Sequence, residues 1–316
     1  MGMTIIIVMY HYIRDVKTSS TPFIQALSRN AFQHQVDHFL KYYNIIGIDD
    51  IIQVSEYKNV SLPPKALHLT FDDGYIDHYI HVLPVLDKYN IKASFYPSAM
   101  PIKEKKVLDV NKIHSILGIG TPVNTMLDEI KSYIEKYKDK YTLHDFENYR
   151  KTIKLSSRYD DSATVFIKRM LQRELPREVR NMIVDSLFKK YVTADETGYA
   201  ESLYMSAKQI KEMHDCGMTI GNHGYRHEWF DNLSLEEQKD DIENANAVFR
   251  SMGIDTTKEA ICYPYGAYNN HTLEIMKTLN YKIGFTVNPT IAHVNKNSNY
   301  VLPRYDTNDF PQNNIE

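Results

Sequence analysis

With 316 residues, 43% of them hydrophobic and 24% charged, the chain can bury a sizeable core as one large domain or two small ones. A formal net charge of −3 excludes the basic footprint expected of a nucleic-acid-binding protein. No run is apolar over the length of a membrane span, and the two cysteines, Cys216 and Cys262, form neither metal-type spacing nor a disulfide framework, which points to a reducing, cytoplasmic setting.

The first element is the apolar run TIIIVMYHY (4–12). No basic segment precedes it and no small-residue cleavage site follows it, so it reads as a strand and not as a signal peptide. An amphipathic helix is expected over 29–44. The run ALHLTFD (66–72) is a second strand, a helix covers 75–90, and IKASFYPS (91–98) is a third strand. A helix over 206–217, with Ser206 as N-cap and Gly217 as its stop, leads into a fourth strand at 218–224. The helix over 234–253 opens on a capping box of Ser234 with Glu237 and ends at Gly253. Strands at 259–266, 281–287 and 300–306 complete the series, with a helix at 270–280.

Strands that alternate with helices and are almost continuously apolar predict a parallel sheet covered by helices. Seven of them in a chain of this length predict an α/β fold closed as a distorted (β/α)7 barrel rather than an open sheet. Residues 101–203 break the rhythm, being charged and helical in pattern. They are expected to be a helical insertion within a single domain over 1–316, as a lid, a substrate-recognition cap or a route to a homo-oligomer.

The chemistry-bearing residues fall at the C-terminal ends of the expected strands. These are His11, Asp72 with Asp73, His223 with His227, the YPYG segment that contains Tyr265, and Arg304. In a barrel such ends converge on one mouth. Adjacent carboxylates repel unless a cation or separate partners relieve them. Histidines spaced i, i+4 can hold one metal, and two His plus one carboxylate leave positions open for water, as in catalytic zinc sites. One aspartate then ligates the cation and the other remains free as a base.

TFDDG, then H-x-x-x-H, then PYG, in that order and each at a strand end, resemble the polysaccharide deacetylase family (carbohydrate esterase family 4). The resemblance covers 4–98 and 204–306. It implies the family's barrel, with Asp73, His223 and His227 as metal ligands, Asp72 as general base and the Tyr265 backbone N–H as an oxyanion donor. It also implies a histidine that protonates the departing amine. His11, in MYH, matches the branch of poly-N-acetylglucosamine deacetylases that carries this acid on the first strand. The alternative is His293 in IAH, expected in a loop. The third motif departs from the family, with Cys262 where an arginine usually stands; Arg304 is the candidate replacement. Gly224 follows the first histidine where a small hydroxyl residue is usual, with Asn222 as a candidate support for the loop.

The function these residues imply is that of a metal-dependent carbohydrate N-deacetylase, acting on a linear amide of an amino-sugar in a surface-polysaccharide precursor or glycan. Zn2+ is the default metal, with Co2+, Ni2+ or Mn2+ compatible with the ligand set. The competing readings are a deformylase of a formamido sugar and a catalytically silent glycan-binding relative. A two-carboxylate glycosidase is disfavoured, because adjacent aspartates cannot flank one bond at the required separation.

Overall fold

A computed structural model describes residues 3–17, 19–57, 59–295 and 299–312. The chain begins with β1 (Met3–Tyr10), α1 (Arg29–Tyr42), β2 (Asn44–Ile45), α2 (Ile48–Glu56) and β3 (Ala66–Asp73). Ser28 caps α1 by accepting the Ala31 N–H, and the helix turns Phe32, Val36 and Phe39 inward. After β3 the helix expected over 75–90 is interrupted. A wide turn at His78–Val82, in which the Leu83 N–H reaches the His78 carbonyl, precedes α3 (Leu83–Lys88). Pro84 explains the break, since it has no N–H to continue the ladder and is tolerated only in a first turn. β4 (Ser94–Pro97) and α4 (Ala99–Glu104) follow.

The charged stretch forms α5 (Asp109–Gly118), α6 (Val123–Tyr141), α7 (Phe146–Thr152), α8 (Ser162–Arg169), α9 (Arg177–Tyr191) and α10 (Glu196–Leu203). Then come α11 (Ala207–Asp215), β5 (Thr219–Ile220), α12 (Leu235–Ser251), β6 (Ala260–Cys262), α13 (Asn270–Thr278), β7 (Ile283–Phe285), β8 (Ala292–Val294) and β9 (Tyr305–Asp306). The Ser234 capping box with Glu237 is present, and Ser206 forms a second one with Gln209.

The strand pairings run in a circuit. β1, β3, β4 and β5 pair in parallel in that order. Single parallel bridges continue it, Asn222 to Ile261 into β6 and Phe285 to Leu302 out of β7. β9 then pairs in parallel with β1. The parallel α/β architecture is as expected, with β6 and β7 forming a separate two-stranded sheet joined to the rest by isolated bridges. All eight residues of β3 are buried, as expected for a strand covered on both faces. Large apolar side chains such as Phe71, Phe95 and Phe249 fill the core between sheet and helices.

Two short strands depart from the expected series. β2 extends the edge of β3 in parallel. β8 pairs antiparallel with β1, with His293 opposite Thr4. His293 was expected in a loop; it lies instead on this strand, exposed and beside the N-terminal half of β1. Several expected strands are also shorter, because their C-terminal ends leave the extended conformation. Gly224 and Tyr265 both have positive φ.

The chain groups into two compact units, Met1–Asp15 with Ala26–Lys106 and Ala200–Glu316, and Val16–Gln25 with Val107–Tyr199. The first contains the barrel. The second is helical and buries apolar side chains such as Ile113, Ile134 and Ile183. Within it the buried Lys112 ammonium bonds Asp185 and lies 2.9 Å from Glu196. Its bounds differ from the expected 101–203, since α4 groups with the barrel and residues 16–25 with the helices.

Candidate metal and catalytic site

The Asp-Asp-Gly turn shows why these residues stand together. Successive strand residues point to opposite faces, so Asp72 and Asp73 separate at once. Asp73 leaves the strand with φ of 69°. Gly74 continues the turn at φ of 74°, and a Cβ on it would lie 2.5 Å from the Pro97 Cβ, so only glycine fits.

Asp73 meets the two histidines. Its Oδ1 is 3.4 Å from His223 Nε2 and 3.2 Å from His227 Nε2. His223 Nδ1 lies 2.7 Å from the Cys262 carbonyl, which can only accept, so Nδ1 carries the hydrogen and Nε2 presents a lone pair. Asp73 Oδ2 accepts the Tyr75 hydroxyl at 2.6 Å. Asp73 Oδ1 is buried and accepts no hydrogen bond. One ligand atom from each of Asp73, His223 and His227 falls within 4.8 Å of the others. Lone pairs converging on one buried point repel unless a cation stands between them, so the donor set fits a divalent metal of the zinc type. The charges agree. Burial opposes ionisation of Asp73, but the facing imidazoles hold it well below the ordinary carboxylate range. Burial also opposes a charge on His223, yet Cys262 and the two aspartates hold its imidazole well above the ordinary value. Without a cation Nε2 therefore keeps a proton, and the lone pair is free for a metal only once that proton is displaced.

The phenol of Tyr75 was not singled out in the sequence, although it stands two residues after Asp73. Its bond fixes which carboxylate oxygen faces the histidines. Tyr75→Phe should weaken metal affinity by about tenfold or more, as for other partners that orient metal ligands, with little change in fold. Chelator-competition titration of the variant beside the wild type measures this.

Asp72 is gripped by Arg304, which immediately precedes β9, the strand paired with the neighbour of β3. Arg304 Nη1 donates to Asp72 Oδ1 at 2.9 Å and Nη2 to Oδ2 at 2.7 Å. The remaining guanidinium hydrogens reach Thr286 O and Thr70 Oγ1, both at 3.0 Å, and Cys262 Sγ at 2.8 Å. All five donors are thus used, and the side chain is fully buried. Cys262 Sγ in turn donates to Asp72 Oδ2 at 3.3 Å. Asp72, His223 and Cys262 also lie close enough to form a ligand set. Arg304 already supplies the cation there, which disfavours a second metal. Burial pushes Asp72 up, but the Arg304 charge outweighs it and holds the carboxyl at about 2.

His11 Nε2 lies 4.0 Å from Asp72 Oδ2, and the imidazole is 41% exposed. Its backbone carbonyl is held by His78 Nε2 at 2.9 Å. Tyr265 adopts φ of 58°, and its ring centroid is 4.6 Å from that of His227. Trp229, the single tryptophan of the chain, stacks on Tyr265 at 4.3 Å with planes 8° apart. Asn222 donates to the Ile242 carbonyl and accepts the Gly224 N–H at 2.6 Å, tying the His223 loop to α12. The structure therefore gathers Asp72, Asp73, His11, His223, His227, Tyr265 and Arg304, while His293 sits by the opposite end of β1.

Two imidazoles and a carboxylate aimed at one point, beside a second carboxylate and an exposed histidine, form the ligand-and-base arrangement of hydrolytic metal sites. The sequence profile of the polysaccharide deacetylases matches residues 59–118 and 137–284, more than half of the chain. The chain belongs to the polysaccharide deacetylase family. His11 and Arg304 lie outside the matched stretches.

YxkH of Bacillus subtilis (strain 168), assigned to the polysaccharide deacetylases, is 29% identical over 89 residues, which cover 28% of this chain and 32% of that relative. Among solved structures, the Streptococcus pyogenes deacetylase PplD in complex with acetate superposes with a TM-score of 0.61 at 19% identity, covering 99% of this chain and 95% of that one. IcaB from Ammonifex degensii gives 0.55 at 18%, covering 96% and 91%. A de-N-acetylase from Aggregatibacter actinomycetemcomitans gives 0.55 at 18%, covering 96% and 95%. At these identities the likeness establishes the fold.

Proposed function

We propose that the protein is a metal-dependent N-deacetylase of an amino-sugar in a glycan or a surface-polysaccharide precursor. The observation that carries this is the convergence of Asp73, His223 and His227 beside a carboxylate held ionised by Arg304, with His11 4.0 Å from that carboxylate. The family membership and the deacetylases among its structural neighbours support the same reading.

An amide is a weak electrophile with a poor leaving group. A divalent cation bound by Asp73, His223 and His227, with Zn2+ the default, supplies Lewis acidity toward the acyl carbonyl and makes a water acidic. Asp72 takes up the proton of the attacking water. Arg304 keeps Asp72 ionised and fixes both of its oxygens, so its orientation requires no rearrangement during reaction. The Tyr265 backbone N–H is offered to the developing oxyanion. His11 protonates the departing nitrogen, and its exposure leaves room for a substrate beside it.

Among the described residues no helix is long and apolar enough to cross a membrane. Both cysteines are unpaired, which supports a reducing, cytoplasmic location and hence a precursor substrate.

The test is acyl release by metal-loaded protein from N-acetylated and N-formylated nucleotide sugars and short N-acetylglucosamine oligomers. Release lost on chelation and restored by Zn2+ or Co2+ establishes the metal requirement, and the responsive substrate separates precursor from polymer and acetyl from formyl. No release from any of them by protein shown to hold metal sinks the reading in favour of a glycan-binding relative. In the same assay His11→Ala should lower kcat by roughly 10²–10⁴-fold, the usual weight of a general acid, and His293→Ala should leave it unchanged. The reverse pattern would reassign the acid.

A further inference from the structure

Asp241 lies on α12 and is buried, 5% exposed. Its Oδ2 accepts the Tyr225 N–H at 2.6 Å and its Oδ1 the Arg226 N–H at 3.2 Å. Those two amides belong to the loop between His223 and His227. The other side of the loop is fixed by its carbonyls. Ser98 Oγ donates to His223 O at 3.0 Å. The Ala99 N–H reaches Gly224 O at 3.1 Å and the Met100 N–H reaches Tyr225 O at 2.9 Å. Gly224 has φ of +73°, and a Cβ there would lie 2.7 Å from Asp241 Oδ2. The glycine and the carboxylate are thus matched, since the one leaves the space that the other fills. Burial pushes the Asp241 carboxyl up to about 6, so an ionised group here costs stability that its two amide partners must offset.

We propose that Asp241 is a positioning residue for the metal ligands: it grips the two amides between His223 and His227 and sets the angle between the imidazoles before a metal binds. It touches neither substrate nor metal. Without it the loop keeps its carbonyl-side bonds, the Asn222 bond to Gly224 and the Tyr225 hydroxyl bond to Glu104. Both amide anchors between the histidines are lost, however, and the histidines must be ordered at the expense of binding energy.

The inference rests on the metal reading above. Its test is metal-free protein titrated with Co2+ against a chelator, with the visible Co2+ spectrum recorded as a report on ligand geometry. Asp241→Asn keeps the shape but offers only one accepting oxygen. It should bind Co2+ about 10- to 100-fold more weakly, with an altered spectrum. Phe249→Leu, on the same helix and fully buried, loosens the core away from the loop and should leave both readouts at wild type. Equal affinity and spectrum for Asp241→Asn, or an equal loss in Phe249→Leu, overturns the inference while the metal site stands. A wild-type protein that takes up no Co2+ removes both. A second measurement needs no variant. In metal-free wild type the Tyr225 and Arg226 amides should exchange slowly with solvent, and rapid exchange of both overturns preorganisation even if Asp241→Asn does not fold.

Discussion

Replacing Asp72 by Asn is expected to lower kcat by roughly 10²–10⁴-fold, the range for loss of a general base, while bound metal stays at the wild-type level. The separation follows from geometry. Asp73 Oδ1 faces both histidine Nε2 atoms, whereas both Asp72 oxygens are engaged by Arg304. The substituted amide keeps the size of the side chain but cannot take a proton from water at working pH, and it turns an N–H2 group toward guanidinium donors. Metal analysis of the purified variant beside its turnover is the measurement. Retained turnover would remove Asp72 from the chemistry. Lost metal would mean that the roles of the two aspartates are not separable.

Much of this site could be read from the sequence because its parts are local. Asp72, Asp73 and Gly74 form one turn, and His223 with His227 one loop. Strand ends in a parallel barrel share one face, so alternation of strands and helices was enough to bring them together. What was not legible depends on long-range pairing. Arg304 and Asp72 are 232 residues apart; Arg304 could be named from its place at an expected strand end as the candidate for the space left by Cys262, but its two-pronged grip on Asp72 needed the fold. His293 illustrates the same gap. Its short AHV segment carries too few residues for a strand signal, and its antiparallel pairing with the start of β1 fixes its place. The strand ends were overestimated at 218–224 and 259–266 because the expected strands were run on to the motif residues that follow Ile220 and Cys262, where the backbone turns into positive φ at Gly224 and Tyr265. Gly221 itself still bonds the Phe95 carbonyl, and a Cβ there would meet the Tyr96 ring at 2.2 Å, which is why the position is a glycine.

Arg304→Leu should be the most destabilising change in the site, and its cost should depend on pH. Removing one partner of a buried ion pair leaves an uncompensated charge and typically costs about 3–5 kcal/mol. Here the stranded group is Asp72, which would keep only the weak thiol bond from Cys262. In the wild type the Arg304 charge holds Asp72 at about 2, below its ordinary 3.8. A lowered native pKa stabilises the fold fully above the unfolded value, and that contribution is lost as pH falls from about 4 to about 2. In Arg304→Leu the carboxyl has lost its main cation, and burial, the largest influence on it, is opposed only by the more weakly acting His223 and His11, so its native pKa is expected to move above the unfolded value. Protonation then relieves the variant as pH falls, while the wild type has yet to lose its advantage. The stability difference between the two should therefore be largest near pH 7 and shrink toward pH 4, in urea unfolding of the metal-free proteins. Adding Asp72→Asn to Arg304→Leu should recover part of the loss at pH 7, because the double variant buries no charge at this position. A difference independent of pH, or a double variant no more stable than Arg304→Leu, would show that Arg304 acts through packing. The arginine that reaches Asp72 from the last strand would then be no substitute for the one absent at Cys262.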